Sequence, residues 1–182
     1  MLITKTNPTG IDNAIQKLQT DLHGKLLTKW NVDSSVYECY GRCYRNKTIN
    51  GYVAEMFLGG NDYKDAYWND NLSALSFFSV SDKVEADKGQ AKTNVSIIFF
   101  VDVTKLKPTI AHRADEEVRQ DVILSIGTNN NGFHYLGFET GIDNVLREFP
   151  GSRKDSLVAK VEVQPCHCFR INLALIYKNN NC

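Results

Sequence analysis

The sequence predicts a single α+β domain spanning residues 1–182, with a mainly antiparallel sheet covered by an N-terminal helix and a helical pair. Three observations carry this prediction. One long stretch near the N-terminus repeats its apolar residues at helical spacing. Several later stretches alternate or are continuously apolar, as strands do. Helices and strands also follow each other without regular alternation, which favours antiparallel pairing over a parallel sheet.

Residues 9–29 predict an amphipathic helix. Thr9, with Asp12 three residues later, resembles a capping box in which Asp takes the usual position of Glu. Gly24 weakens the last turn by about 1 kcal/mol relative to Ala. The apolar face consists of Ile11, Ala14, Ile15, Leu18, Leu22, Leu26 and Leu27.

Residues 35–45 and 52–58 predict the two strands of a hairpin, because the turn dipeptide Asn50-Gly51 separates an alternating stretch rich in Tyr and Val from a second stretch of strand character. Residues 59–71 are polar with inserted aromatic residues, and they predict an extended excursion or an ordered loop. Gly59-Gly60 lacks the rest of a phosphate-binding fingerprint and predicts a turn.

Two further strands are predicted at residues 75–80 and 93–103, with a charged loop over residues 82–92 between them. Pro108 ends this run of strands. Residues 111–126 then predict a helix with three acidic residues in its first turn, where the helix dipole favours them. Its apolar face consists of Ala114, Val118, Val122, Ile123 and Ile126.

A short third helix is predicted near residues 141–149, and Pro150-Gly151 ends it. Two strands, at residues 158–163 and 169–177, close the chain. The last two helices are expected to pack as a pair over the sheet. Their long connection and the acidic character of the first helix disfavour a DNA-binding helix-turn-helix.

Composition disfavours several classes of function. The chain has 21 basic and 21 acidic residues and no net charge, so we expect no specific nucleic-acid binding. The longest apolar run, residues 97–101, is far shorter than the ~20 residues of a membrane span. The first six residues lack the apolar core of a signal peptide, and five cysteines fit free thiols, so synthesis in a reducing cytoplasm is expected.

Cys166-His167-Cys168 is the strongest candidate for chemistry, because thiolates and imidazoles bind zinc. In a strand, however, the two cysteines share one face and the histidine points to the other. Ordinary strand residues are therefore the preferred interpretation over a zinc site or a Cys–His nucleophile. A calcium site at the aspartates of residues 62–70 lacks the EF-hand spacing. The sequence predicts no catalytic residue, no metal and no cofactor.

Several short segments resemble neck-region proteins of tailed phages that infect Bacteroides and relatives, including crAss-like phages. The segments are residues 52–57, 63–65, 70, 76–78, 113–119, 121–122 and 164–171. The resemblance as a whole covers about residues 11–178. In those proteins the position of Cys166 is more often aromatic, which weakens a chemical role for this residue. The order of elements also resembles tail-terminator and tail-completion proteins.

The resemblance implies a structural subunit of a homo-oligomeric ring, six-fold or twelve-fold, in the neck or tail of the virion. Its partners would be other copies of the chain and the portal, adaptor and tail proteins, with no membrane and with packaged DNA passing through the ring. The family carries no catalytic residues. The alternative is a small metal- or ligand-binding protein that is encoded by a phage and not assembled into the virion.

Residues 59–71 are the candidate interface, because a hairpin turn needs only ~2–5 residues. Aromatic side chains on a polar excursion expose apolar area that a lone domain avoids, and they are enriched at protein interfaces. We predict that this segment reaches a neighbouring subunit or an adjacent ring. The alternative is that its aromatic side chains fold back onto their own sheet. The predicted set is Tyr63, Tyr67 and Trp68, with a polar rim of Asp62, Asp65 and Asp70.

Overall fold

The structure of the protein, a computed structural model, describes residues 1–49, 51–87, 90–109, 114–127, 132–150 and 165–178. The elements follow the chain in the order β1 (Leu2–Ile3), α1 (Gly10–Trp30), β2 (Tyr37–Thr48), β3 (Gly51–Gly59), β4 (Asp62–Asp65), β5 (Ala74–Asp87), β6 (Gln90–Asp102), α2 (Val103–Leu106), α3 (Asp115–Ile126), β7 (Phe133–Thr140), α4 (Ile142–Val145) and β8 (Cys166–Lys178).

The described strands form one open sheet in the order β4-β3-β2-β5-β6-β8-β7, and β1 lies beside β2. Strands β1 and β5 run parallel to β2, whereas every other described pair is antiparallel. The predicted α+β class with a mainly antiparallel sheet is confirmed. The order leaves β4 and β7 at the two edges of the sheet.

Buried apolar side chains cover both faces of the sheet. Along β6, Ile97 and Phe99 belong to one cluster, and Ile98 and Phe100 belong to another, as alternation along a strand requires. The first cluster includes the apolar residues of α1, α2 and α3, and we call its side the helical face. The other side, here called the second face, is covered by α4 and by residues 66–73. Burial on both sides explains the continuous apolar run in β6.

Helix α1 confirms the first predicted helix, but the predicted capping box is wrong. Thr9 is the N-cap residue and its side chain makes no capping hydrogen bond. The Asp12 carboxylate instead pairs with Lys5 and lies 3.6 Å from Nη1 of Arg42. Asp12 has a shorter side chain than the Glu of a capping box, and it attaches the helix to neighbouring segments.

The predicted helical pair is also wrong. Helix α3 packs beside α1 on the helical face, where Nζ of Lys29 lies 3.6 Å from Oδ1 of Asp121. Helix α4 has only four residues and lies on the opposite side of the sheet. Residues 111–113, the start of the predicted second helix, lie outside the described residues, and α3 begins at Asp115.

The hairpin prediction is confirmed by β2 and β3, whose register pairs Thr48 with Gly51. The predicted charged loop over residues 82–92 is wrong, because β5 and β6 continue as a hairpin in which Asp87 pairs with Gln90. Most of the described side chains of β5 beyond residue 81 are exposed to solvent, so charged residues are compatible with a strand there.

Strand β8 confirms the last predicted strand, and residues 158–163 lie outside the described residues. Strand β7 was not predicted. The register shifts between Tyr135 and Gly137, so this edge strand shows no regular alternation. Most of its side chains are exposed, which removes the apolar signal of a buried face.

A bulge in β2 decides which side chains reach which face. Cys39 pairs with Ser76 and Arg42 pairs with Phe78, so three steps along β2 match two along β5. Cys39 therefore belongs to the helical-face cluster and Cys43 to the second-face cluster.

In the described residues, no helix combines the length and apolar character needed to cross a bilayer.

Candidate functional site

The predicted interface segment lies at one edge of the sheet. After a turn at Gly59-Gly60, where both residues have positive φ, β4 returns along β3 and pairs Tyr63 with Phe57. The Tyr63 ring packs on Phe57 at a centroid distance of 5.1 Å and remains 56% exposed. Tyr67 is also exposed. The outer side of β4 pairs with no described strand.

The expectation that Trp68 is exposed is wrong. Its side chain is 7% exposed and belongs to the second-face cluster together with Leu72 and Phe77. Residues 66–73 therefore fold back over the sheet, as the alternative interpretation of this aromatic residue proposed. The ammonium of Lys105 fixes the end of this segment by donating to the carbonyl oxygens of Asp70 and Leu72, at 2.6 and 3.1 Å.

The remaining predicted residues form an exposed group that we call the acidic edge. Its side chains all lie on or directly after β4 and are exposed to solvent. Lys64 is the basic residue of this stretch, and its ammonium lies 5.5 Å from the centroid of the Tyr40 ring. The acidic edge consists of Asp62, Tyr63, Asp65, Tyr67 and Asp70.

The opposite edge of the sheet exposes a different surface. On β7, Leu136 is 58% exposed and Phe138 is 44% exposed. The guanidinium of Arg119 lies 4.1 Å from the centroid of the Phe138 ring. We call Tyr135, Leu136 and Phe138 the apolar edge. Within the described residues no strand pairs with the outer side of β7.

A cleft of about 600 Å³ opens on the second face of the sheet. Its floor is polar and includes Ser79, Ser96 and Asn172. Leu136 of the apolar edge lies in its wall, so the cleft reaches β7. The charged lining residues are five cations and two anions, namely Arg42, Arg45, Lys83, Arg147 and Arg170 with Asp82 and Glu148.

Arg170 is the centre of the floor and is 4% exposed. Its Nη2 donates to Oε1 of Glu148 at 2.6 Å and to Oγ of Ser96 at 2.7 Å, and its Nε donates to Oδ1 of Asn172 at 3.0 Å. Its Nη1 also donates to Oε2 of Glu148. Burial alone would raise the pKa of Glu148, but the hydrogen bonds and charge of Arg170 outweigh it, so the pKa lies below that of an ordinary glutamate.

The cations at the rim of the cleft are more accessible than Arg170. Nη2 of Arg45 lies 2.7 Å from Oδ2 of Asp82, and both side chains are exposed. Arg147 donates from Nε to Glu148 at 3.3 Å and pairs with Glu139. The rim can therefore bind an anionic or polar surface.

The thiol that lines the cleft is not prepared for nucleophilic chemistry. Cys43 is buried, and burial raises the pKa of its thiol well above the ordinary value. On the helical face, burial raises the pKa of Cys39 to about 11. A thiol with such a pKa stays protonated at neutral pH.

The structure places Cys166 and Cys168 against the second-face cluster, whereas His167 packs on Phe169 at a centroid distance of 5.7 Å. The predicted division of these residues between two faces is confirmed. Among the residues that the structure describes, no three His, Cys, Asp or Glu side chains gather as metal ligands.

The sequence argument missed the Arg170–Glu148 pair. Its available signal is one charged residue in the stretch 168–175, which is apolar apart from Arg170 and Asn172, because a charge in such a strand requires a partner when it is buried. The identity of that partner has no local signal. No protein-family model matches the sequence, and no curated protein shows significant similarity to it.

Proposed function

We propose that the chain is a structural subunit of a homo-oligomeric ring in the neck or tail of a tailed-phage virion. In this role it joins the portal or adaptor to the tail, as a tail terminator or a head–tail connector, after synthesis in the host cytoplasm. The resemblance of its short segments to phage neck proteins favours this function. The structural observation that supports it is the presence of two different open surfaces at the two edges of one sheet.

Each edge has features that a lone soluble domain usually protects. Exposed apolar side chains on an open edge strand promote pairing with another chain. The apolar edge exposes Leu136 and Phe138, while the acidic edge exposes Tyr63 beside carboxylates. Two unlike surfaces on opposite sides favour head-to-tail contacts, and such contacts close into a ring when the rotation between subunits fits.

The alternative function is a small ligand-binding protein that stays outside the virion, and the cleft is the observation that favours it. The two functions predict different fates for the chain. A ring subunit co-purifies with intact particles in several equal copies. A ligand-binding protein remains in the lysate.

The test is complementation of a phage that lacks this gene, followed by quantitative mass spectrometry and image reconstruction of purified particles. We expect the wild type to occur at the neck or tail in ring stoichiometry. The double variant Leu136→Lys/Phe138→Glu should fold with an unchanged melting temperature and fail to complete particles.

Leu124→Lys provides the matched control, because Leu124 is an exposed apolar residue that lies on α3 and not on β4 or β7. This variant should support normal assembly. Absence of the wild-type chain from infectious particles would overturn the proposed function. Normal assembly by the Leu136→Lys/Phe138→Glu variant would show that the apolar edge takes no part in the proposed function.

A further inference from the structure

We propose that the cleft on the second face receives the acidic edge of a second copy of this chain. This inference rests on the proposed ring and names the contact between its subunits. The occupant is the stretch on and after β4, and the receiving surface is the cationic rim of the cleft.

Charge complementarity is the first argument. Residues 62–70 contain three aspartates and one lysine, which gives a net charge of −2. The lining of the cleft contains five cations and two anions, which gives +3. The whole chain has no net charge, so both surfaces are local separations of charge. Complementary charged surfaces set the orientation and the specificity of an association.

The cations of the cleft differ in whether they can bind a carboxylate of another chain. The donors of Arg170 are already used by Glu148, Ser96 and Asn172, so this residue forms the floor and does not exchange partners. The Arg45–Asp82 pair is exposed, and such surface pairs contribute only ~0–1 kcal/mol. Arg45 can therefore exchange one carboxylate for another at little cost.

Lys83 is the second available cation. Its side chain is exposed, and its ammonium makes no hydrogen bond or ion pair with the residues that the structure describes. It lies beside Asp82 at the mouth of the cleft. A carboxylate from another chain would thus add a charge-assisted hydrogen bond at Lys83 without displacing one made to the described residues.

The apolar parts of the two surfaces also match. Leu136, which is exposed, lines the cleft beside its charged residues. Tyr63 and Tyr67 project from the acidic edge between its carboxylates. Tyrosine suits such a mixed surface, because its ring buries apolar area while its hydroxyl finds a polar partner.

The acidic edge of a chain cannot occupy the cleft of the same chain. Strand β4 is held on β3 by the pairs Phe57–Tyr63 and Glu55–Asp65. Strand β3 then lies between β4 and β2, and β2 forms the near wall of the cleft. The contact is therefore made between copies, and it joins two unlike surfaces as a ring requires.

Two charge-reversal variants test the contact. The edge variant is Asp62→Lys/Asp65→Lys, and the cleft variant is Arg45→Glu/Lys83→Glu. We expect each variant alone to self-associate at least about tenfold more weakly than the wild type, because like charges then face each other. An equimolar mixture should associate again, since an intact edge then meets an intact cleft and the lysine edge of one variant meets the glutamate cleft of the other. Analytical ultracentrifugation measures all of these states.

Lys17→Glu is the control, because Lys17 is an exposed cation on α1. It should associate like the wild type, and all variants should keep their melting temperatures. The inference is overturned if the mixture stays monomeric, if either variant associates like the wild type, or if the wild type itself stays monomeric at its highest soluble concentration.

The remaining outcomes separate this inference from the proposed function. If both reversal variants still enter particles in ring stoichiometry, the ring stands and this contact is wrong. Stabilisation of monomeric wild type by millimolar inorganic phosphate, lost in the cleft variant, would identify a small-anion site and would overturn the subunit contact. Absence of the wild type from particles would contradict the proposed function itself.

Discussion

Arg170 and Glu148 join strand β8 to the segment after α4 through two parallel hydrogen bonds. One of them, from Nη2 to Oε1, is 2.6 Å long. Next to this pair, Phe149 packs edge-on against Phe77 at a centroid distance of 5.6 Å. Since Arg147, Glu148 and Phe149 all line the cleft, the ion pair fixes one of its walls.

Replacement of Arg170 by Met should destabilise the protein by about 3 kcal/mol, because Glu148 and Ser96 lose their donor. The double variant Glu148→Gln/Arg170→Met should be more stable than this single variant, since a neutral amide costs less to bury than a carboxylate that keeps only the 3.3 Å contact with Arg147. Urea denaturation measures both. Arg147→Met, at an exposed cation, should cost less than about 1 kcal/mol. Equal losses for Arg170 and Arg147 would contradict the structural role of the pair.

The aromatic residues of the predicted interface should separate into two classes. Trp68→Ala should destabilise the chain by about 3–5 kcal/mol, because it leaves a cavity in the second-face cluster. Tyr63→Ser should change stability by less than about 1 kcal/mol, because most of the Tyr63 side chain is exposed. Thermal and urea unfolding provide the comparison. Similar effects of both changes would show that the structure assigns Trp68 to the wrong environment.

His23 should make stability depend on pH between about 7 and 5. Burial lowers its pKa and the N-terminal ammonium lowers it further, while its ring stacks on Tyr37 at 5.0 Å. The unfolded chain, with an ordinary pKa of ~6.5, therefore binds more protons as the pH falls. This contribution is fully present above ~6.5 and is lost progressively below it.

The measurement is the free energy of unfolding in urea across that pH range. His23→Phe keeps an aromatic ring at this position and should flatten the dependence. Glu148 titrates in a lower range because its pKa is depressed, so it does not obscure the effect. His134→Asn, at an exposed histidine, serves as the control and should leave the slope unchanged. An unaltered slope in His23→Phe would refute the assignment.

Cys39 and Cys43 should resist alkylation in the folded protein at neutral pH. Both are buried, and their raised pKa values keep the nucleophilic thiolate scarce. We expect iodoacetamide to modify them only after unfolding, as measured by peptide mass spectrometry. Rapid modification of Cys43 in the native state would mean that the cleft activates this thiol and would reopen a chemical role.

Elements with a local signal could be predicted from the amino-acid sequence alone. The 3.6-residue period gave α1, because every third or fourth residue of that stretch is apolar. The turn dipeptide between a Tyr-rich stretch and a second stretch of strand character predicted the β2–β3 hairpin, and continuous apolar character predicted β6. Exposure of Tyr63 and Tyr67 also followed from a polar segment that is too long for a turn.

The arrangement of these elements depends on contacts between distant segments of the chain. The burial of Trp68, the parallel pairing of β2 with β5, and the bulge that moves Cys43 to the second face all depend on segments distant in the chain. Arg170 finds Glu148 for the same reason, since a buried guanidinium is stable only where folding brings it a carboxylate. A sequence pattern reports which side of an element is apolar. It does not report which distant segment will cover that side.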